Sequence, residues 1–122
     1  MLIAMVYLWI AVAGGAGSLC RYLLWHAVTQ PKSGFPAGTL AVNILGCFFI
    51  GLAAKTVSDE MLRLTLITGF LGGFTTFSAF SLETLHLFRN GMGTTAVWYV
   101  TASNIGGLAA AWAGWRMGQI TS

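Results

Sequence analysis

Hydrophobic residues dominate four stretches of the chain, at roughly 3–27, 37–55, 62–88 and 94–116. Each is long enough to cross about 30 Å of hydrocarbon as an α-helix, because a helix rises about 1.5 Å per residue. Polar segments separate the stretches: QPKSGFPAG with its two prolines, then SDE, then RNGMG. The pattern predicts an all-α membrane protein with four transmembrane helices in a single domain covering residues 1–122.

The third stretch is interrupted at its middle by a pair of glycines and a pair of threonines, in the segment GGFTT at 72–76. Glycine weakens a helix by about 1 kcal/mol relative to alanine. A break inside the membrane leaves carbonyl groups that neighbouring protein, water or an ion must satisfy. We therefore predict a third helix that is broken near its middle. An intact helix whose glycines permit close packing is the alternative.

Composition supports the membrane assignment. Hydrophobic residues make up 57% of the chain and charged residues 7%, against about 25% charged residues in soluble domains. The net charge of +3 does not indicate nucleic-acid binding, because the six cations are spread singly along the chain. Cys20 and Cys47 lie in apolar segments, so we expect packing residues and no disulfide framework or metal site.

The first twenty residues share features with a secretory signal peptide, including AVA as a possible cleavage site. They lack the charged leader of such a peptide, and the apolar run continues to Arg21. We therefore expect a first helix that is retained in the mature protein.

The distribution of cations does not fix the orientation of the helices. If the amino terminus lies inside, three cations lie inside (Lys55, Arg63, Arg116) and three outside (Arg21, Lys32, Arg89). The usual positive-inside bias is therefore absent, which favours two populations of opposite orientation that pair with each other. In the alternative interpretation Arg21 lies too deep to count, which leaves a weak bias toward an inside amino terminus.

Small residues spaced by four allow helices to approach closely, within one chain or between copies. The pairs are Gly14 with Ser18, Gly107 with Ala111, and Ala110 with Gly114. Packing within one chain explains any single pair, whereas the total of sixteen glycines favours an oligomer.

Polar groups inside a membrane are costly and are therefore candidates for function. Most of them here are hydrogen-bond donors: Arg21, Thr39, Asn43, Thr75, Thr76, Ser78, Ser81, Tyr99, Ser103 and Asn104. Glu83 is the only acid well inside a helix, and it lies toward one end, whereas cation channels use rings of acids or carbonyls. His26 and His86 lie near helix ends, where we expect interfacial histidines rather than a proton relay.

Phe77 and Phe80 are three residues apart and share a helix face. The edge of an aromatic ring is positive, so ring edges can line an anion path without a fixed charge that would trap the ion. Packing of the two rings in a core is the alternative. Hydroxyls and amides along a narrow path would replace the water of a small anion and exclude larger ones. These features indicate a passive path for a small anion or polar solute and do not name it.

Three segments resemble the Fluc fluoride channels, also called the CrcB family: GFLGGFTTFSAFSLE at 69–83, GTLAVNILGCFFIG at 38–51 and, less specific by itself, GGAGSLCRY at 14–22. The resemblance covers all four helices and nearly the whole chain. It implies an antiparallel, dual-topology homodimer with two fluoride paths. It also implies that Asn43 is the pore asparagine and that Phe77 and Phe80 are the rings that face fluoride.

The resemblance implies further roles for individual residues. Ser81 would line the path directly, with Ser78 and Glu83 on the same polar side, Tyr99 and Ser103 on the pore-facing side of the fourth helix, and Thr39 near a vestibule. The backbone carbonyls of Gly72 and Thr75 would hold a structural sodium ion at the dimer axis, and Arg21 would be structural. Ala79 departs from the family pattern, because many relatives carry threonine at this position.

From this resemblance we expect a multi-pass channel, not an enzyme, in the inner (plasma) membrane of a bacterium. It would export fluoride passively and selectively, relieve fluoride toxicity and have no nucleic-acid partner. A small multidrug-resistance antiporter is one alternative, but it needs a glutamate at mid-membrane in the first helix, and residues 2–20 contain no acid. A non-transporting membrane subunit is the other alternative, and it gives the polar residues inside the helices no function.

Overall fold

The chain forms four long helical segments joined by short turns, and the computed structural model describes all 122 residues. Helix α1 spans Leu2–Val28 and α2 spans Ala37–Thr56. The third segment consists of α3 (residues 60–74) and α4 (Phe77–Arg89), and the last helix, α5, spans Gly93–Thr121. The prediction of an all-helical chain with four long helical segments is confirmed, but only three of the four segments are long and apolar enough to be candidate membrane spans. The last helix continues beyond the predicted end at 116.

Most large apolar side chains face outward. Only 16 of the 122 residues are buried, and exposed hydrophobic side chains extend along every long helix. Three segments are long and apolar enough to cross a membrane, namely Leu2–Val28, Ala37–Thr56 and Glu60–Arg89. An apolar surface of this extent needs a lipid environment. The chain is therefore a membrane protein, and α5 is its most polar long helix.

The third segment changes its winding twice before it breaks. Asp59 caps its start by accepting a hydrogen bond from the backbone N of Leu62 at 2.8 Å. Residues Glu60–Arg63 are α-helical, Leu64–Leu71 form a π-helix, and Gly72–Phe74 return to α-helical geometry. A π-helix is rare and is frequently found beside functional sites.

The non-helical residues of the third segment are Thr75 and Thr76, not the glycine pair that precedes them. Thr75 has ψ of 156° and Thr76 has φ of −149°, which is extended backbone. Gly72 and Gly73 remain helical, and close packing requires a glycine only at position 73. A side chain at Gly73 would collide with the backbone of Gly14 in α1. Thr76 has the extended geometry of an N-cap residue and starts α4.

Glycines bring two pairs of helices into backbone contact. A side chain at Gly17 of α1 would collide with the carbonyl of Phe70 in α3. Side chains at Gly51 of α2 and Gly114 of α5 would collide with the carbonyls of Ala111 and Phe48 on the facing helix. The small residues are thus used within one chain, so their number is not by itself evidence for an oligomer.

Candidate functional site

The extended residues at the middle of the third segment lie where the helical hydrogen-bond pattern is interrupted, and side chains replace the missing partners. In a regular helix the backbone N of Thr76 would donate to the carbonyl of Gly72. Here it donates to Oδ1 of Asn43 at 2.8 Å, and Nδ2 of Asn43 donates back to the Thr76 carbonyl at 3.0 Å. Asn43 therefore fixes both backbone groups of one extended residue.

Helix α1 supplies two more partners for the break. Oγ of Ser18 donates to the carbonyl of Gly73 at 3.3 Å, and Nη1 of Arg21 donates to the carbonyl of Thr75 at 3.2 Å. On the far side of the break, Oγ1 of Thr76 accepts from the backbone N of Ala79 at 3.1 Å. Buried backbone groups are nearly always paired in proteins. The break is therefore stabilised by polar side chains that converge on it from α1 and α2.

A cavity of about 300 Å³ lies beside the break, and we call it the ring cavity. Its wall includes Asn43, Phe77, Phe80 and Ser103, together with Gly72, Thr75 and Thr76. The centroids of the two phenyl rings are 5.5 Å apart and the ring planes are tilted by 44°. The two rings differ in burial, because Phe80 is 9% exposed and Phe77 is 79% exposed.

Ser103 is the one ring-cavity residue whose polar atom is buried without a partner. Its Oγ makes no hydrogen bond within the chain. Asn43 also keeps unused capacity, because its NH₂ group has two N–H bonds and one of them serves the Thr76 carbonyl. The ring cavity thus combines two aromatic rings with hydrogen-bond donors that remain free.

A second cavity of about 540 Å³ lies next to the ring cavity, and we call it the vestibule. Thr76 lines both cavities, so the two meet at the break. The vestibule wall carries Ser18 and five of the predicted polar residues: Arg21, Thr39, Thr76, Ser78 and Glu83. Ala79 also lines the vestibule and contributes no hydroxyl to its wall.

Both carboxylate oxygens of Glu83 accept short hydrogen bonds. Oγ1 of Thr39 donates to Oε1 at 2.7 Å, and the hydroxyl of Tyr99 donates to Oε2 at 2.7 Å. Thr39 is 2% exposed and Tyr99 is fully buried. Hydrogen bonds to a charged group contribute about 1.5–3 kcal/mol each. This carboxylate therefore joins α2, α4 and α5 through buried side chains.

The predicted path residues fall into three groups. Asn43, Phe77, Phe80 and Ser103 line the ring cavity, whereas Thr39, Ser78 and Glu83 line the vestibule. Tyr99 and Ser81 line neither cavity. Tyr99 packs behind Phe80 with ring centroids 5.2 Å apart. Ser81 is exposed, and its Oγ donates to the carbonyl of Phe77 at 2.9 Å. Ser81 therefore lines neither cavity of a single copy, and its place on the path stays a prediction.

The two histidines lie near helix ends and outside both cavities. His26 is exposed and stacks on Tyr22, with ring centroids 6.0 Å apart. His86 is exposed on α4. Two contacts of the site are not predictable from the sequence pattern, namely the bridge from Thr39 through Glu83 to Tyr99 and the contact of Ser18 with the break. Each joins residues on different helices, and the spacing along the chain carries no signal for such contacts.

Comparison with known proteins identifies the family. Residues 8–115 match the family model described as "CrcB-like protein, Camphor Resistance (CrcB)". The chain belongs to the CrcB family. The family match thus includes every residue that lines the ring cavity and the vestibule.

Several proteins similar to this chain have names that state a function. A protein of Rhizobium etli is 48% identical over 86% of this chain and 89% of its own length. A protein of Solibacter usitatus is 46% identical over 90% of this chain and 95% of its own length. A protein of Maridesulfovibrio salexigens is 44% identical over 83% of this chain and 81% of its own length. All three relatives are named "Fluoride-specific ion channel FluC".

Proposed function

We propose that the chain is a passive, highly selective fluoride channel that exports fluoride across the inner membrane of a bacterium and so relieves fluoride toxicity. The observation that carries the proposal is the hydroxyl of Ser103, which is buried without a partner in the wall of the ring cavity. A buried donor without a partner costs about 1–3 kcal/mol. An anion in the cavity would accept this hydrogen bond and remove the cost. The names of the relatives supply the identity of the anion.

The side-chain chemistry of the ring cavity suits an anion. Ser103 and the second N–H bond of Asn43 are donors, and the edges of the rings of Phe77 and Phe80 are positive. No acidic side chain lines the ring cavity, because Glu83 lies on the vestibule wall and both of its oxygens already accept hydrogen bonds. Neutral donors bind an anion without a fixed charge that would hold it in place, which permits conduction.

Selectivity follows from the cost of removing water from the ion. Fluoride is small and strongly hydrated, so it enters a narrow path only where several donors replace its water. The hydroxyl of Ser103, the amide of Asn43 and the ring edges are the groups that would do so. Arg21 on the vestibule wall would raise the local concentration of anions, since its charge has no carboxylate partner and lies beside the entrance to the ring cavity.

An antiparallel homodimer would complete the path. Phe77, Ser78 and Ser81 are exposed on one copy, although they lie in the middle of a membrane-spanning segment. Exposure of the two serine hydroxyls to lipid would be costly. The ring of Phe77 could not line an aqueous path if it faced lipid. A second copy inserted in the opposite orientation would cover these residues and make Ser81 part of the path. The balance of cations between the two ends of the chain supports such pairing.

The residues at the break fit a structural sodium ion that is not transported. The carbonyl of Gly72 lacks its helical donor, because the backbone N of Thr76 donates to Asn43 instead. The carbonyl of Thr75 accepts one hydrogen bond from Arg21, so its second lone pair is free. Sodium is a hard cation that prefers oxygen ligands, and carbonyls from two copies would supply them. When bound, the ion would neutralise carbonyl dipoles at the dimer axis.

The experiment that tests the proposal is fluoride efflux from vesicles that contain the purified chain, with no proton gradient and with valinomycin to balance charge. We expect rapid efflux from the wild-type protein and at least about tenfold slower efflux from Ser103→Ala, because the free donor is lost. Ser122→Ala removes an exposed hydroxyl outside both cavities and should retain the wild-type rate. Efflux that requires a proton gradient would support an antiporter, and an absence of efflux would support a non-transporting subunit.

A further inference from the structure

One face at the carboxyl-terminal ends of α2 and α5 has no role in the proposed channel. Trp112, Trp115, Arg116 and Gln119 are spaced by three or four residues, so they share one side of α5. Lys55 in the last turn of α2 lies against this side, with its Nζ 5.7 Å from the centroid of the Trp115 ring. All five side chains are exposed. We call these five residues the basic indole face.

The two cations of this face have unused hydrogen-bonding capacity. The guanidinium of Arg116 lies 5.9 Å from the centroid of the Trp112 ring, and its Nη1 donates to Oε1 of Gln119 at 3.1 Å. Lys55 makes no hydrogen bond within the chain, and neither cation has a carboxylate partner. Arginine has five N–H donors and lysine has three, so most donors of the face are free. The aromatic rings hold both cations in place through cation–π contacts.

The position of the face within the membrane limits the partners that it can meet. Tryptophan is enriched where the hydrocarbon meets the headgroups, and lysine and arginine near helix ends extend their charges toward the headgroups. Lys55 lies in the last turn of α2, which is one of the apolar spans, and Trp112 lies one turn before Arg116 on α5, which packs against α2. We therefore expect the charges at the level of the lipid phosphates, with the indoles just below them.

We propose that the basic indole face binds the headgroup of an anionic phospholipid, with the phosphate between Lys55 and Arg116 and the indoles against the glycerol and upper acyl chains. Two positive charges without acidic partners match a lipid with net negative charge better than a zwitterionic one. Each cation near an anionic membrane surface contributes about 1 kcal/mol of attraction. The proposal does not depend on fluoride conduction, because none of these residues lines the ring cavity or the vestibule.

The test uses tryptophan fluorescence of the full chain in vesicles. In a Trp9→Phe, Trp25→Phe, Trp98→Phe background, the two remaining tryptophans belong to the basic indole face. Phosphatidylglycerol and phosphatidylcholine with brominated acyl chains quench tryptophan on contact. We expect phosphatidylglycerol to be about fivefold enriched at the face over phosphatidylcholine. Lys55→Gln with Arg116→Gln should reduce this ratio to about one, whereas Lys55→Arg with Arg116→Lys should preserve it.

The lipid preference should depend on the two cations of the basic indole face and not on cations elsewhere in the chain. Lys32→Gln with Arg89→Gln removes two exposed cations from the opposite ends of the helices and should leave the ratio unchanged. Addition of free inorganic phosphate or of a soluble acidic peptide should not lower the quenching by phosphatidylglycerol. Equal quenching by the two lipids in the background protein would overturn the proposal, even if the neutralised variant does not fold. A preference that persists without Lys55 and Arg116 would overturn it as well, and competition by the peptide would indicate a protein partner instead.

Discussion

Asn43 and Thr76 are joined by a pair of hydrogen bonds in which the asparagine amide takes the place of a neighbouring peptide group. The Nδ2 atom donates to the Thr76 carbonyl at 3.0 Å, and the Thr76 backbone N donates to Oδ1 at 2.8 Å. The same side chain lines the ring cavity. It therefore holds the break in its extended geometry and has one N–H bond left for an ion.

Asn43→Ala should both destabilise the protein and slow fluoride efflux. Loss of the amide leaves a buried backbone N–H and C=O without partners, at a cost of about 1–3 kcal/mol each. We expect a lower thermal midpoint in detergent and a fluoride efflux rate at least about tenfold below that of the wild type. Asn90→Ala, at an exposed residue after α4, is the matched control and should change neither quantity. An unchanged efflux rate in Asn43→Ala would remove this residue from the path.

Substitution of either phenylalanine should slow conduction, but only one of the two substitutions should also lower stability. Phe77→Ile and Phe80→Ile each replace a positive ring edge with an aliphatic group, so both should slow fluoride efflux. Only Phe80 is buried, so only Phe80→Ile should also lower the unfolding free energy, by about 1–2 kcal/mol. Efflux assays and chemical unfolding measure the two effects. Phe88→Ile, at an exposed ring on the same helix, should have neither effect. Wild-type efflux in both ring variants would contradict the role of the rings.

Glu83 and Tyr99 should be energetically coupled. Tyr99→Phe removes the donor of the 2.7 Å hydrogen bond between them and Glu83→Gln removes the charge of its acceptor, so the loss in the double variant should be smaller than the sum of the single losses. We expect a coupling of about 1–2 kcal/mol in unfolding free energy. Glu60→Gln, at an exposed residue in the first turn of α3, combined with Tyr99→Phe should give additive losses. Additivity for the Glu83 pair would show that this hydrogen bond contributes little.

Two glycines of α1 should respond in opposite ways to the same substitution. Gly17→Ala would place a methyl group against the carbonyl of Phe70, and the overpacking should cost about 1–3 kcal/mol. Gly15→Ala meets no atom within 4 Å, so it should be neutral or stabilise the helix by about 0.5–1 kcal/mol. Thermal unfolding of both variants in the same detergent provides the comparison. Equal stability of the two variants would contradict the close contact of α1 with α3.

The hydrophobic pattern predicted the helices well, because each must cover about 30 Å of hydrocarbon and therefore needs a long apolar run. It predicted an interruption within residues 72–76, and in the structure only Thr75 and Thr76 of this segment are extended. The glycines at 72 and 73 indicate flexibility in the sequence, whereas in the structure Gly73 is needed for contact with α1. Thr75 and Thr76 are extended because side chains from other helices replace their helical partners. Contacts of this kind depend on the tertiary arrangement.

Only part of the candidate site was predictable from the sequence, again because some of its contacts depend on the tertiary arrangement. Asn43, Phe77, Phe80 and Ser103 meet in one cavity, and family motifs indicated the first three with the greatest specificity. Ser81 shares the helix with the two phenylalanines but faces outward in a single copy. Whether a residue on this face lines a path depends on a second copy, which the residue spacing of one chain does not describe.

The measurement that tests the central claim most directly is a comparison of fluoride and chloride efflux from the same vesicles, each followed with an ion-selective electrode and with no proton gradient. Our account predicts fast fluoride efflux and chloride efflux no faster than in protein-free vesicles. The reason is that the donors and ring edges of one narrow cavity replace the water of the smaller ion only. Vesicles that retain fluoride, or that release both halides at similar rates, would contradict the account.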